Sequence, residues 1–113
     1  MKPSINYLRH ILDETRFLID NLADCDLEHF MQDPVLQRAV VRSLEVIGEA
    51  VKNIPADLVE KYPDVEWRKM AATRNRLIHG YFSVDLELVW DIFESKIANL
   101  QQQIEHIQSI ETI

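Results

Sequence analysis

The chain has 113 residues, 12 basic against 19 acidic for a formal net charge of −7, and one cysteine. That length closes one continuous core, expected as a single domain over 1–113, and the lone Cys25 excludes an intrachain disulfide and leaves a reduced, cytoplasmic compartment as the expectation. No apolar run approaches membrane-spanning length, the N-terminal stretch lacks the apolar segment of a signal peptide, and the acidic total argues against a broad electrostatic grip on nucleic acid.

With 2 Gly and 4 Pro and apolar residues recurring every three or four positions, the predicted fold class is all-α: an up-and-down bundle of four long helices with short helical turns. The first helix follows Pro3-Ser4 and runs to about Leu22, with Ile5, Leu8, Ile11, Leu12, Leu18 and Ile19 on its apolar stripe. Ala23-Asp24-Cys25-Asp26 ends it, and a short segment carries Phe30. Asp33-Pro34 reads as an N-cap followed by Pro at the first helical position, where the missing N–H is no loss. The second long helix extends to about Asn53 with Leu36, Val40, Leu44, Ile47 and Val51 inward. Gly48 lies inside it, where glycine costs about 1 kcal/mol relative to alanine, so a close helix approach is expected there, within the bundle or between protomers.

Pro55 and Pro63 bracket a helical turn around Leu58 to Tyr62, and Asp64 is the predicted cap of a third long helix starting near Val65 or Glu66. Trp67, Met70, Ala71, Leu77 and Ile78 form its apolar side, and it ends near His79-Gly80, with Gly80 the candidate for a left-handed terminal position. The fourth helix follows Ser83 or Asp85 and keeps Leu86, Val89, Phe93, Ile97, Leu100, Ile104 and Ile107 in a three-four rhythm to the end of the chain. It is long enough to outrun its partners unless a second chain covers it, a first hint of dimerisation.

Metal chemistry finds little support in the spacing. None of His10, His29, His79 and His106 follows a Glu by three positions, and Cys25-x3-His29 is half a zinc site with no second half. Glu45 and Glu49 lie one turn apart, with Lys52 beyond them, and read as a solvated charged face. The stretch from Trp67 to Tyr81 differs, because it holds four basic residues (Arg68, Lys69, Arg74 and Arg76) and no acid, which leaves −11 for the rest of the chain. On a helix, Asn75 and His79 lie about 40° apart and Arg74 and His79 about 140° apart. Two such helices facing each other across a symmetry axis would line one cleft with histidines for proton transfer and arginines for phosphoryl oxygens. The bland alternative pairs Arg74 with a surface acid and leaves His79 as a helix-terminal cation.

Arg74-Asn75-Arg76-Leu77-Ile78-His79-Gly80-Tyr81 resembles the Arg-x4-His-x-Tyr signature of the HepT-like branch of the HEPN superfamily. Arg42 to Lys52 resembles that family's second-helix pattern, and Tyr62-Pro63-x-x-x-Trp67 its approach to the catalytic helix. The likeness spans the whole domain, strongest from Trp67 to Asp91 and weakest after Asn99. It implies a homodimeric HEPN-like bundle acting as a metal-independent endoribonuclease without cofactors. Such proteins are toxins of a type VII-like toxin-antitoxin system, paired with a minimal nucleotidyltransferase antitoxin.

On this resemblance Arg74 and His79 are catalytic, Asn75 is auxiliary, and Arg68, Lys69 and Arg76 bind RNA. Tyr81 accepts AMP from the antitoxin, which places bulk and phosphate charge two residues from His79. The alternative is a non-catalytic helical binding module that anchors or presents substrate to a nucleotidyltransferase. A small cleft holding a few phosphates fits a basic window in an acidic chain, and the acidic remainder is a candidate surface for a basic antitoxin.

Overall fold

The computed structural model describes residues 3–79 and 85–112, with side chains over 5–77 and 85–112. Gly80, Tyr81 and Ser83 lie outside the described residues, as do the side chains of Ile78 and His79.

The described chain is all-α, with no strand among the described residues. Helix α1 (Pro3–Leu22) presents Leu8, Ile11, Leu12, Leu18 and Leu22 on one stripe, each at most 3% exposed. Asp26 caps α2 (Leu27–Gln32) by accepting from the His29 N–H at 2.8 Å, and Asp33 caps α3 (Pro34–Lys52) by accepting from the Leu36 N–H at 3.0 Å. Each cap satisfies an amide that the helix itself leaves without an acceptor. After α4 (Ala56–Lys61) comes α5 (Trp67–His79), and Asp85 then caps α6 (Leu86–Ile92). α6 passes through a π-helical turn (Phe93–Ile97) into α7 (Ala98–Glu111).

The main packing joins α3 to α5, α1 to α3 and α1 to α7, and α2 adds the fully buried Phe30. Phe30 stacks at a tilt on Trp90, with 5.4 Å between ring centroids. The α1–α3 seam also carries a polar tie: the buried Ser43 hydroxyl donates to Glu14 Oε1 at 2.8 Å. Burying a hydroxyl without such a partner is costly, and among the described residues no buried side-chain polar atom lacks one.

Three expectations need correction. Asp64 does not cap the third long helix, because that helix begins at Trp67 and Glu66 occupies the preceding position. Residues 63–65 are instead a turn, where the Asp64 carbonyl accepts from Gln103 Nε2 at 3.1 Å. The last helix is interrupted by a wide turn that apolar periodicity does not announce. It also does not outrun its partners: α1 covers α7, Ile107 is 1% exposed, and Lys61 Nζ and Tyr62 Oη both donate to Glu111 Oε2, at 2.8 and 2.7 Å. Its length therefore gives no reason to invoke a second chain.

The π turn and the start of α5 are linked through Glu66, which accepts from Lys69 Nζ and Lys96 Nζ, each at 2.8 Å. The hydrogen bond from Lys69, then that from Lys96, holds the Glu66 carboxyl at about 2, below its ordinary 4.5. A carboxyl depressed by folding stabilises the native state above its unfolded value and loses that contribution as pH falls through the folded one. The urea midpoint of Glu66→Gln should therefore lie modestly below wild type at pH 7 and converge with it between pH 4.5 and about 2. A gap that stays constant across that window would refute the linkage.

Candidate functional site

Gly48 determines how near α5 can lie to α3. A Cβ at this position would overlap Arg74 Cβ and stand 3.0 Å from the Met70 carbonyl oxygen. The close approach expected from the sequence is thus within the bundle, and the residue it admits is Arg74. The next residue along α3, Glu49, uses this proximity: its Oε2 lies 2.8 Å from Arg74 Nε. Arg74 Nη1 donates to Asn75 Oδ1 at 3.1 Å. A guanidinium carries five N–H donors in a fixed fork, so two engaged donors fix the plane and leave the others available. Among the described residues nothing engages Nη2, and the side chain is 25% exposed. The arginine is both oriented and open to a ligand.

Arg74 and Asn75 are therefore brought together by a direct hydrogen bond. His79 is the last residue of the same helix, five positions after Arg74. Arg74 does pair with a surface acid, as the bland alternative supposed: Glu49 is exposed, as expected of a solvated face with Lys52, and what spacing did not show is that it meets Arg74. A glutamate directly after a helix-interior glycine was the available signal, because the glycine marks where a neighbouring helix comes within side-chain reach.

The other basic residues of α5 lie apart from Arg74. Arg74 faces a groove of about 250 Å³ between α1, α3 and α5. Lys69 and Arg76 border a different cavity of about 320 Å³ against α6 and the π turn, where Thr73 and Lys96 join them. Arg68 edges a third depression beside α4. The basic window is continuous in sequence, but Arg74 faces away from the rest, while Arg68 and Lys69 share a further depression beside Pro63 and Val65, because successive helical residues turn by about 100°.

No group of three or more His, Cys, Asp or Glu among the described residues is placed to hold a metal ion. Burial, reinforced by Asp26 and Asp33, pushes the Cys25 thiol up, away from the reactive thiolate. No helix among the described residues is long and apolar enough to cross a membrane.

The all-α bundle has the HEPN-like helical fold. The profile of the ribonuclease HepT-like family matches residues 11–107, and the chain belongs to that family. It is 46% identical over 107 residues to a protein of Caldanaerobacter subterraneus subsp. tengcongensis provisionally named an RNase, an alignment covering 95% of this chain and 96% of that one. A protein of Methanocaldococcus jannaschii, also provisionally named an RNase, is 46% identical over 89% of this chain and 84% of its own length. A protein of Thermococcus cleftensis carrying the provisional name ribonuclease HepT is 37% identical over 91% of this chain and 94% of its own. No solved structure matches the chain.

Proposed function

We propose that the chain is a metal-independent endoribonuclease toxin whose site forms at the cleft of a homodimer. The carrying observation is Arg74, held by Glu49 and Asn75 with part of its fork free, on the helix that ends at His79. The family and the RNase names of its relatives point the same way. In the proposed reaction the RNA 2′-oxygen attacks the adjacent phosphorus, the bond to the 5′-oxygen breaks, and the products are a 2′,3′-cyclic phosphate and a 5′-hydroxyl. One His79 accepts the proton of the 2′-hydroxyl while the His79 of the second protomer donates one to the leaving oxygen. Arg74 stabilises the charge that builds on the phosphoryl oxygens, and Asn75 fixes the guanidinium plane. Lys69, Arg76 and Arg68 contact RNA outside the cleft.

Control comes from a minimal nucleotidyltransferase antitoxin. Tyr81 Oη attacks the α-phosphorus of ATP, pyrophosphate leaves, and the AMP adduct obstructs the site.

The test is RNA cleavage by purified protein in EDTA, with folded Arg74→Ala and His79→Ala chains beside it. Wild type should yield cyclic-phosphate ends and each variant should lose at least about 100-fold in rate. Equal cleavage by the variants, or no cleavage by unmodified wild type on several RNA classes, would sink the ribonuclease reading. It would favour instead a non-catalytic module that presents substrate to a nucleotidyltransferase, in which the Arg74–Glu49 pair is only structural. Mass spectrometry after incubation with the partner enzyme and ATP tests Tyr81. A Tyr81→Phe chain that is still fully modified would refute its assignment.

A further inference from the structure

The groove beside Arg74 contains groups that phosphoryl transfer itself does not use. Tyr7 and His10, one helical turn apart on α1, meet edge to face with ring centroids 6.3 Å apart. Arg42, with a side chain 75% exposed, reaches the same groove from α3, and Asn53 lies at the α3 C-terminus. Flat rings, an exposed guanidinium and an amide next to a phosphate-binding arginine are what recognition of an unpaired nucleotide requires. The rings stack on a base, the guanidinium meets a phosphate, and the amide serves a base edge.

Charge sets the size of the occupant. Arg42 stands 3.8 Å from Glu45 and Arg74 stands 2.8 Å from Glu49, so the two cations of the groove are matched by two carboxylates. A neutral groove suits one nucleotide held by shape, stacking and a single exchangeable cation. It does not suit a tract of backbone held by charge, which needs an uncompensated basic face. The cavity of about 250 Å³ is likewise sized for one nucleotide.

We propose that this α1–α3–α5 groove binds the RNA nucleotide next to the scissile phosphate, with the Tyr7–His10 pair against its base and Arg42 on its outer phosphate. The proposal rests on the ribonuclease reading and extends it to substrate positioning. Arg42 and His10 are both exposed, so their replacement leaves the core intact.

The test uses the full-length protein and a fluorescent 12-nucleotide RNA of mixed sequence, 2′-O-methylated throughout so that it binds without being cut. Anisotropy measures affinity, and steady-state cleavage of the unmethylated RNA separates KM from kcat. Arg42→Ala combined with His10→Ala should weaken binding and raise KM by about tenfold each, with kcat within about twofold, as expected when a stacked base and a phosphate contact are lost. Arg42→Lys should recover part of the phosphate contact. In wild type, RNA carrying 4-thiouridine should cross-link on irradiation to the peptide that contains Tyr7 and His10.

Wild type that cleaves and binds normally, with the double variant unchanged and cross-links mapping only elsewhere, would overturn the groove and leave the ribonuclease reading standing. Wild type that neither binds nor cuts RNA would overturn both.

Discussion

A Gly48→Ala chain should be less stable than wild type by about 1–3 kcal/mol, the usual cost of forcing an atom into a filled interior. The sign is informative, because alanine inside a helix ordinarily stabilises by about 1 kcal/mol over glycine. Here the new Cβ meets Arg74 Cβ and the Met70 carbonyl oxygen. Neither can rotate away, since one is fixed to the α5 backbone and the other is part of it. α5 must therefore retreat from α3, which carries Arg74 away from Glu49, so on the proposed function RNA cleavage should fall along with stability. Urea titration of the two chains decides the first part. An alanine variant as stable as wild type would mean that the α3–α5 contact yields easily.

The second large effect belongs to Arg74→Lys. Lysine keeps the positive charge and can pair with Glu49, but its ammonium is a single point on a flexible stem. It cannot hold Glu49 and Asn75 together and still offer a directed donor to phosphate. On the proposed mechanism kcat should fall by about 100-fold or more while the fold is retained, as when a directed transition-state donor is removed. The Glu49→Ala chain is the informative companion. It retains the guanidinium, and because the pair is part-exposed its stability should stay within about 1 kcal/mol of wild type. Its kcat should fall by less than that of Arg74→Lys. Wild-type turnover in Arg74→Lys would show that charge alone suffices.

Sequence periodicity carried most of the fold, for identifiable reasons. The caps at Asp33 and Asp85 act through side chains reaching amides three residues on, a local relation that spacing encodes. The buried stripe of α1 and the burial of Val40, Leu44, Ile47 and Val51 in α3 follow from helical geometry alone. The π turn escaped notice because Val89, Ile97, Leu100, Ile104 and Ile107 all remain buried through it. The apolar rhythm looks unbroken while the backbone widens. Asp64 misled because a capping residue type two places too early is chemically identical to one in position.

The candidate site was legible only where it is local. Arg74, Asn75 and His79 share one helix and stand out by charge and spacing. The surroundings of Arg74 do not: its ion-pair partner Glu49 lies twenty-five residues earlier, Tyr7 and His10 of the same groove lie on α1, and only tertiary packing brings α1, α3 and α5 together. The +4 window overstated the continuity of the basic surface, because helical rotation sends Arg68, Lys69 and Arg76 to faces that Arg74 does not share.

The packing of α1 on α7 has a consequence for the order of events during synthesis. α1 is synthesised before α7, yet Leu8, Ile11 and Leu12 share a core with Ile104 and Ile107, which are translated more than ninety residues later. At roughly 5–20 residues per second, several seconds separate the two helices. Throughout that interval α1 lacks its final partner, and the α1 wall of the groove beside Arg74 lacks its support. On the proposed function, a nascent chain cannot present a finished site to the RNA of the ribosome that is making it until α7 has been added.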